Sequence, residues 1–260
     1  MPNEHNQEQT FRRLRIYNLV VSFILAAEGA LMLALSNDFK LPVTTSYLSF
    51  DLATKSISTV HKTIYDLRIG PFVAVFLFIS ALSLFLVGTI GYHWYVRNLK
   101  KHINYARWIE YSVSASLMIV IIAMLVGMYD LSSLILIFAL NATMIFFGWM
   151  MELHNQTTTK TNWTAFIFGC LAGIVPWVVI YLYFAGAVAS VGDIIPKFVY
   201  AILISIFIFF DIFALNQFLQ YKKVGRWKSY LYGEAIYILL SLVAKSALAW
   251  QIFSGTLRPH

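Results

Sequence analysis

Seven long apolar runs alternate with polar stretches along the chain: Ile16–Leu35, Ile69–Tyr92, Tyr105–Val126, Leu131–Met151, Trp163–Ala187, Pro196–Leu219 and Tyr230–Phe253, here segments A to G. A helix needs about 17–25 apolar residues to cross the hydrocarbon of a bilayer, and each run has that length. The pattern predicts an all-α membrane protein, a seven-transmembrane-helix bundle. Residues 1–260 read as one domain, because no internal repeat or low-complexity linker divides them. The A–B connection, from Ser36 to Arg68, is long for a bundle loop. Its β-branched stretches Val43-Thr44-Thr45 and Ile57-Ser58-Thr59-Val60 suit a half-exposed strand. Two forms are open there, a short β-hairpin or an irregular loop, and the edge of a hairpin would invite pairing with a second subunit.

Composition agrees with the pattern. Of the 260 residues, 60% are hydrophobic and 12% charged, with mean hydropathy +0.72. Soluble domains carry roughly 25% charged residues, so this is an integral membrane protein. One cysteine, Cys170, excludes an internal disulfide and most zinc-ribbon arrangements. The six histidines, His5, His61, His93, His102, His154 and His260, lie in loops or at the ends. That argues against a membrane hydrolase holding zinc with intramembrane histidines. The first 15 residues are polar and the run after them exceeds a signal core, so no cleavable signal is expected.

The net charge of +7 reports topology rather than nucleic-acid binding. Twelve of the 19 Lys and Arg fall at one end of the bundle: Arg12, Arg13 and Arg15, Arg97 to Arg107, Lys160, and Lys222 to Lys228. Six fall at the other, namely Lys40, Lys55, Lys62, Arg68, Lys197 and Arg258. The positive-inside rule therefore places the N-terminus in the cytoplasm, the C-terminus outside and the A–B connection on the extracellular side.

The remaining basic residue is Lys245, alone in the middle of segment G. A charge at such a depth costs about 2.5–3.5 kcal/mol on insertion scales. The nearest flanking basic residues, Lys228 and Arg258, are 17 and 13 positions away, so the amine is too deep to snorkel to water. Either it pairs with a buried acid or its amine is consumed chemically. Desolvation makes a lysine amine a good Schiff-base former, so the residue alone suggests a covalently bound aldehyde.

Four acids join it at or near membrane depth: Glu28 in A, Glu110 in C, Asp211 in F and Glu234 near the start of G. Intramembrane acids usually face the bundle interior, though each could equally be a neutral hydrogen-bonded carboxylic acid. Arg107, Glu110 and Ser114 share a face of C, and Glu234, Ile238, Ser241 and Lys245 form one stripe of G. Further stripes are Asn141, Met144 and Gly148 on D, Gly173, Pro176, Trp177 and Tyr181 on E, and Phe207, Phe210, Ala214 and Gln217 on F. Aromatic walls with small residues at close approaches would suit a flat apolar chromophore, but such stripes serve plain packing too and by themselves name no cofactor.

The wording around these residues is more specific. Arg107-Trp108-Ile109-Glu110-Tyr111-Ser112-Val113-Ser114-Ala115-Ser116, Tyr230-Leu231-Tyr232-Gly233-Glu234 and Ser241-Leu242-Val243-Ala244-Lys245-Ser246 resemble the heliorhodopsins. The resemblance runs through all seven segments and includes the inverted orientation. It implies all-trans retinal as a protonated Schiff base on Lys245, with Glu110 as counterion. Ser241, Ser114, Tyr111 and Trp108 match positions near the chromophore, and Asn141, Met144, Gly148, Trp177, Phe210 and Gln217 match positions of its pocket. It further implies a non-enzymatic photoreceptor in the cell membrane, a homodimer joined through the A–B connection, and signalling to an unidentified cytoplasmic partner. No catalytic residue and no metal are expected.

One departure bears on the photochemistry. Known members carry histidines in A and B where this chain aligns Leu25 and Ser83. With those histidines missing, Glu28, Ser83, Asp211 and Glu234 become candidate proton-relay groups. A light-driven proton transporter or channel on the same scaffold is therefore a second reading. A third, from another class, is a membrane transporter or enzyme in which Lys245 merely pairs with Glu110.

Overall fold

The computed structural model describes residues 4–191 and 197–256. Eight α-helices and one β-hairpin follow in the order α1 (Glu4–Leu35), β1 (Lys40–Asp51), β2 (Ser56–Arg68), α2 (Ile69–Gly88), α3 (Tyr92–Leu99), α4 (Tyr105–Leu125), α5 (Leu131–His154), α6 (Thr164–Val191), α7 (Lys197–Lys222) and α8 (Tyr230–Thr256). All but the short α3 are long and apolar enough to span a membrane, so the described residues hold the seven expected spans. The predicted start of segment F at Pro196, together with Arg258 and His260, lies outside the described residues.

Differences from the apolar runs arise where polar sequence continues a helix. The first helix begins at Glu4 rather than Ile16, because nothing between them breaks a helical backbone. Segment B ends earlier than its apolar run, at Gly88. There Thr89 leaves the helical region, and the Gly91 amide turns back to the Leu86 carbonyl at 2.8 Å. The chain restarts as α3, which buries Tyr95, Asn98 and Leu99. Side-chain caps fix two entries into the membrane: Asn104 accepts from the Arg107 amide at 3.1 Å, and Asp130 from the Ser133 amide at 3.0 Å.

The A–B connection is a hairpin, and a long one, with strands of 12 and 13 residues. Its turn is held by Asp51, which accepts from the Ala53 amide at 2.8 Å, and by Lys55 in the left-handed region at φ 52°. A register shift between Val43 and Thr44 bends it toward the bundle. There the Thr44 amide bonds the Tyr129 carbonyl at 2.9 Å.

Burial orders the helices. In the most apolar stretch of α4, 72% of residues are buried, against 17% in α7, so α4 is the central staff of the bundle and α7 a peripheral one. The exposed residues of α6 and α7 include Leu171, Leu182, Ile204 and Ile208, the apolar surface that a bilayer requires. The polar residues of α4 at Arg107, Glu110, Ser114 and Ser116 are instead all buried, so the hydrophilic chemistry is gathered on the bundle axis.

Candidate functional site

Lys245 comes from the middle of α8, is 2% exposed, and meets α2 and α4 across the axis. Its Nζ donates to Glu110 Oε1 at 2.5 Å, Ser80 Oγ at 2.6 Å and Ser114 Oγ at 2.9 Å. Ser80 in turn donates to the same Glu110 oxygen at 2.6 Å. The Tyr111 ring covers the amine at 4.7 Å from its centroid. A buried ion pair is sustained only when its remaining donors and acceptors are met, and the two hydroxyls meet them here. The pairing of Lys245 with Glu110 is thus among the four considered, and Ser114 lies beside it. Ser80 was missed by the sequence reading: alignment drew attention to Ser83, one turn away. Ser83 instead lines a space of about 30 Å³ with Asn18, Glu110 and Arg107, large enough for one or two waters. Ser241 binds Tyr111 Oη at 2.9 Å rather than the lysine.

On the other side of Lys245 is a cavity of about 260 Å³. Trp108, Tyr111, Met144, Gly148, Phe210 and Gln217 line it, as does Lys245 itself. Gly148 is required by close approach, since a Cβ there would lie 2.5 Å from Trp108 Cζ3. Its carbonyl accepts from Gln217 Nε2 at 3.0 Å, locking α5 to α7. Two expected pocket residues do not reach the lining. Asn141 turns to α4 and donates to Ser116 Oγ at 3.1 Å. Trp177 stands behind the wall, edge-on to Phe207 and Phe210 with ring centroids 5.1 and 5.6 Å apart. Both stripes point inward, as their spacing requires, but packing decides which member touches the space.

The candidate relay acids separate into different environments. Glu28 accepts from Ser246 Oγ at 2.6 Å, next to Lys245 in sequence but on another face of α8. Asp211 sits at the exposed edge of the cavity, beside Cys170 on its lining. Glu234 belongs to a second buried cluster, one that includes an acid overlooked in the sequence. Arg107 pairs through its two terminal nitrogens with Glu234 and Glu152. Glu152 also accepts from Trp108 Nε1 at 2.6 Å, the Asn104 amide at 3.1 Å and Tyr230 Oη at 3.2 Å. Asn104 Nδ2 donates to Glu234 at 2.7 Å, and the guanidinium lies 3.9 Å from the Tyr237 ring centroid. Glu152 follows the last residue of the apolar run and reads as an interfacial acid, but it is 1% exposed. Its faint sequence signal was its position one turn after Gly148, on the inward stripe of α5.

This geometry offers one amine in reach of an apolar cavity, a carboxylate fixed beside it, and a second charged cluster closing one end of the bundle. A family model described as Heliorhodopsin matches residues 14–257. No curated protein matches the chain. Among solved structures, the transmembrane domain of Salpingoeca rosetta rhodopsin phosphodiesterase is similar, with a TM-score of 0.63 at 15% identity over 98% of this chain and 89% of that one. At that identity the likeness speaks for the seven-helix rhodopsin fold alone.

Proposed function

This chain belongs to the heliorhodopsin family of retinal-binding, light-responsive rhodopsins, and from that premise we propose a light sensor with all-trans retinal as a protonated Schiff base on Lys245 and Glu110 as its counterion. It is a multi-pass integral membrane protein. The observation that carries the proposal is the Lys245 amine, which lines the apolar cavity while a single carboxylate, Glu110, sits 2.5 Å from it. The cavity suits the group: apart from Lys245, Asp211, Gln217 and Cys170 its walls are aromatic or apolar, and Gly148 keeps the approach beside Trp108 open. Bound retinal would supply absorption of visible light and an isomerisation that changes its shape.

The protein's residues do the rest. Glu110 neutralises a positive charge on the Lys245 nitrogen, since an opposite charge within about 4–6 Å favours the charged form. In the free lysine Ser80 and Ser114 hold the pair by accepting from the amine. A protonated Schiff base would keep one N–H for Glu110, whose Oε1 Ser80 also holds by donating at 2.6 Å. Trp108, Tyr111, Met144 and Phe210 exclude water from the cavity and fix the orientation of what fills it. A change of shape there presses on Trp108, whose indole is tied to Glu152 and so to the cluster at the bundle end. We take that end as cytoplasmic, from its excess of basic residues, and the readout as a cytoplasmic partner protein.

Absorption spectroscopy on purified protein with added all-trans retinal tests the sensor. A visible band forms, and Glu110→Gln moves it to longer wavelength, because the carboxylate stabilises charge held at the nitrogen before excitation. A band unmoved by Glu110→Gln would remove Glu110 from the counterion role.

The second reading, proton movement, draws on two observations: acids on both sides of the lysine, with Glu28 at Ser246 and Glu110 at Lys245, and the small water-sized space between Glu110 and the Arg107 cluster. Patch-clamp recording under continuous light separates the two readings. The sensor yields no stationary current; a sustained current would establish transport.

A homodimer joined through the hairpin is part of the proposal. Phe50 pairs with Ile57, and Leu48 is two residues from Phe50, so all three share one side of the ribbon. They are 55%, 67% and 72% exposed in the order Phe50, Ile57, Leu48, on an element outside the spans. Such an apolar side with free edges fits a second copy. Light scattering should give the protein mass of a dimer for the wild type and about half that for Leu48→Asp with Ile57→Asp. An unchanged mass would place the contact elsewhere.

A further inference from the structure

The bundle end that carries the N-terminal helix start encloses a concave space of about 850 Å³, larger than the cavity of about 260 Å³ beside Lys245. Its walls come from α1, the α3–α4 corner, the end of α5 with the loop after it, the end of α7, and the start of α8. Lys100, Lys101, Lys223 and Lys228 all line it. Topology alone asks only that basic residues lie on one side of the membrane. It does not ask that two segments far apart in sequence converge on one concavity.

Among the described residues, none of these four lysines forms a salt bridge. The acid on the lining, Glu152, is already engaged by Arg107 at the floor. Thr159 and Thr161 add hydroxyl donors from the α5–α6 loop. Ammonium groups without acidic partners, interspersed with hydroxyls, are a donor set for oxyanions; a cation would need carboxylates instead. His102 is also on the lining. Its imidazole is held below its ordinary range first by burial and then by the charge of Lys223.

We propose that this bowl binds a phosphate-bearing polyanion, and that its occupancy is coupled to the Lys245 cavity through Glu152. The binding stands on the bowl alone; the coupling rests on the light-sensor reading. Glu152 lines the bowl and accepts from Trp108 Nε1 at 2.6 Å, while the Trp108 ring lines the cavity. Tyr230 donates to the same carboxylate at 3.2 Å and is stacked on His102 with centroids 4.9 Å apart. A polyanion that draws Lys101 toward it displaces the adjacent His102, and through Tyr230 and Glu152 shifts the support of one wall of the cavity. Reciprocally, a light-driven displacement of Trp108 changes the affinity of the bowl.

The probes are inorganic pyrophosphate, by calorimetry on the retinal-loaded protein, and phosphatidylcholine vesicles with or without phosphatidylinositol bisphosphate, by co-sedimentation. Pyrophosphate should bind, and Lys101→Gln with Lys223→Gln should weaken it by about tenfold or more. Lys55→Gln with Lys62→Gln, on the hairpin at the other end, should leave it unchanged. The same variant pattern with the phosphoinositide vesicles alone would assign the phosphate to a lipid headgroup and keep the site. Binding of neither probe, or equal loss in both double variants, overturns it.

For the coupling, pyrophosphate should change the decay rate of the light-induced absorbance change by about twofold or more. Trp108→Phe keeps an aromatic wall but cannot donate, and should abolish that dependence while pyrophosphate still binds. A decay indifferent to bound pyrophosphate overturns the coupling. A wild-type protein with no visible band overturns the sensor reading and leaves the calorimetry to decide the site.

Discussion

Replacing Lys245 with alanine removes the visible band that forms when all-trans retinal is added to the wild-type protein. The loss is complete rather than partial, because Lys245 supplies the one lysine amine on the cavity lining among the described residues. The substitution also strands Glu110, a buried carboxylate left with the Ser80 hydroxyl as donor. Removing one partner of a buried pair typically costs about 3–5 kcal/mol, so the single variant is expected to be less stable as well as colourless. Lys245→Ala combined with Glu110→Gln separates the two effects. The double variant should regain thermal stability, since no lone charge remains, and should still fail to form the band. A band of normal amplitude in either protein would mean that retinal attaches elsewhere or without a covalent bond.

The second large effect concerns Arg107. Arg107 is 6% exposed and its guanidinium lies between Glu152 and Glu234. Arg107→Met deprives two buried carboxylates of their countercharge at once. An isolated buried charge is so unfavourable that the cluster must protonate, admit water or open. The expected loss is again about 3–5 kcal/mol. That corresponds to a fall on the order of 10 °C in the thermal midpoint of a chain this long. Adding Glu152→Gln and Glu234→Gln should recover most of it, because a cluster of neutral hydrogen-bonding groups no longer needs the cation. If the triple variant melts no higher than Arg107→Met, the arginine acts through its packing on Tyr237 and Trp108, at 3.9 and 4.6 Å from their ring centroids, rather than through charge.

These two clusters were unequally legible in the sequence. Lys245 announced itself, because a lone charge in an apolar run is a local signal that needs no knowledge of neighbours. Glu110 emerged as one of four acids at or near membrane depth. Choosing it takes the packing of α4 against α8, a contact between residues 135 positions apart. Ser80 is 165 positions from the lysine, and a serine in a membrane helix most often bonds its own backbone, as Ser80 also does to the Phe76 carbonyl at 3.0 Å. Glu152 was hidden differently. It stands just past the end of an apolar run, where an acid is expected to face water, and is buried because α4 and the start of α8 cover it.

By itself, then, the chain determined the seven spans, the lysine at mid-depth and the strand-forming character of the A–B connection. Each of these depends on the period and length of apolar sequence, and the cost of placing polar groups in hydrocarbon admits few alternatives. Only the tertiary structure decided which acid neutralises Lys245, that Trp177 and Asn141 stand behind the cavity wall, and that lysines from two distant segments share one bowl. Helical periodicity sets the face a residue occupies, but not how each helix is rotated, tilted and offset against its neighbours. Those are settled by close packing around residues such as Gly148 and by the pairing of buried charges, both of which are sums over contacts far apart in the chain.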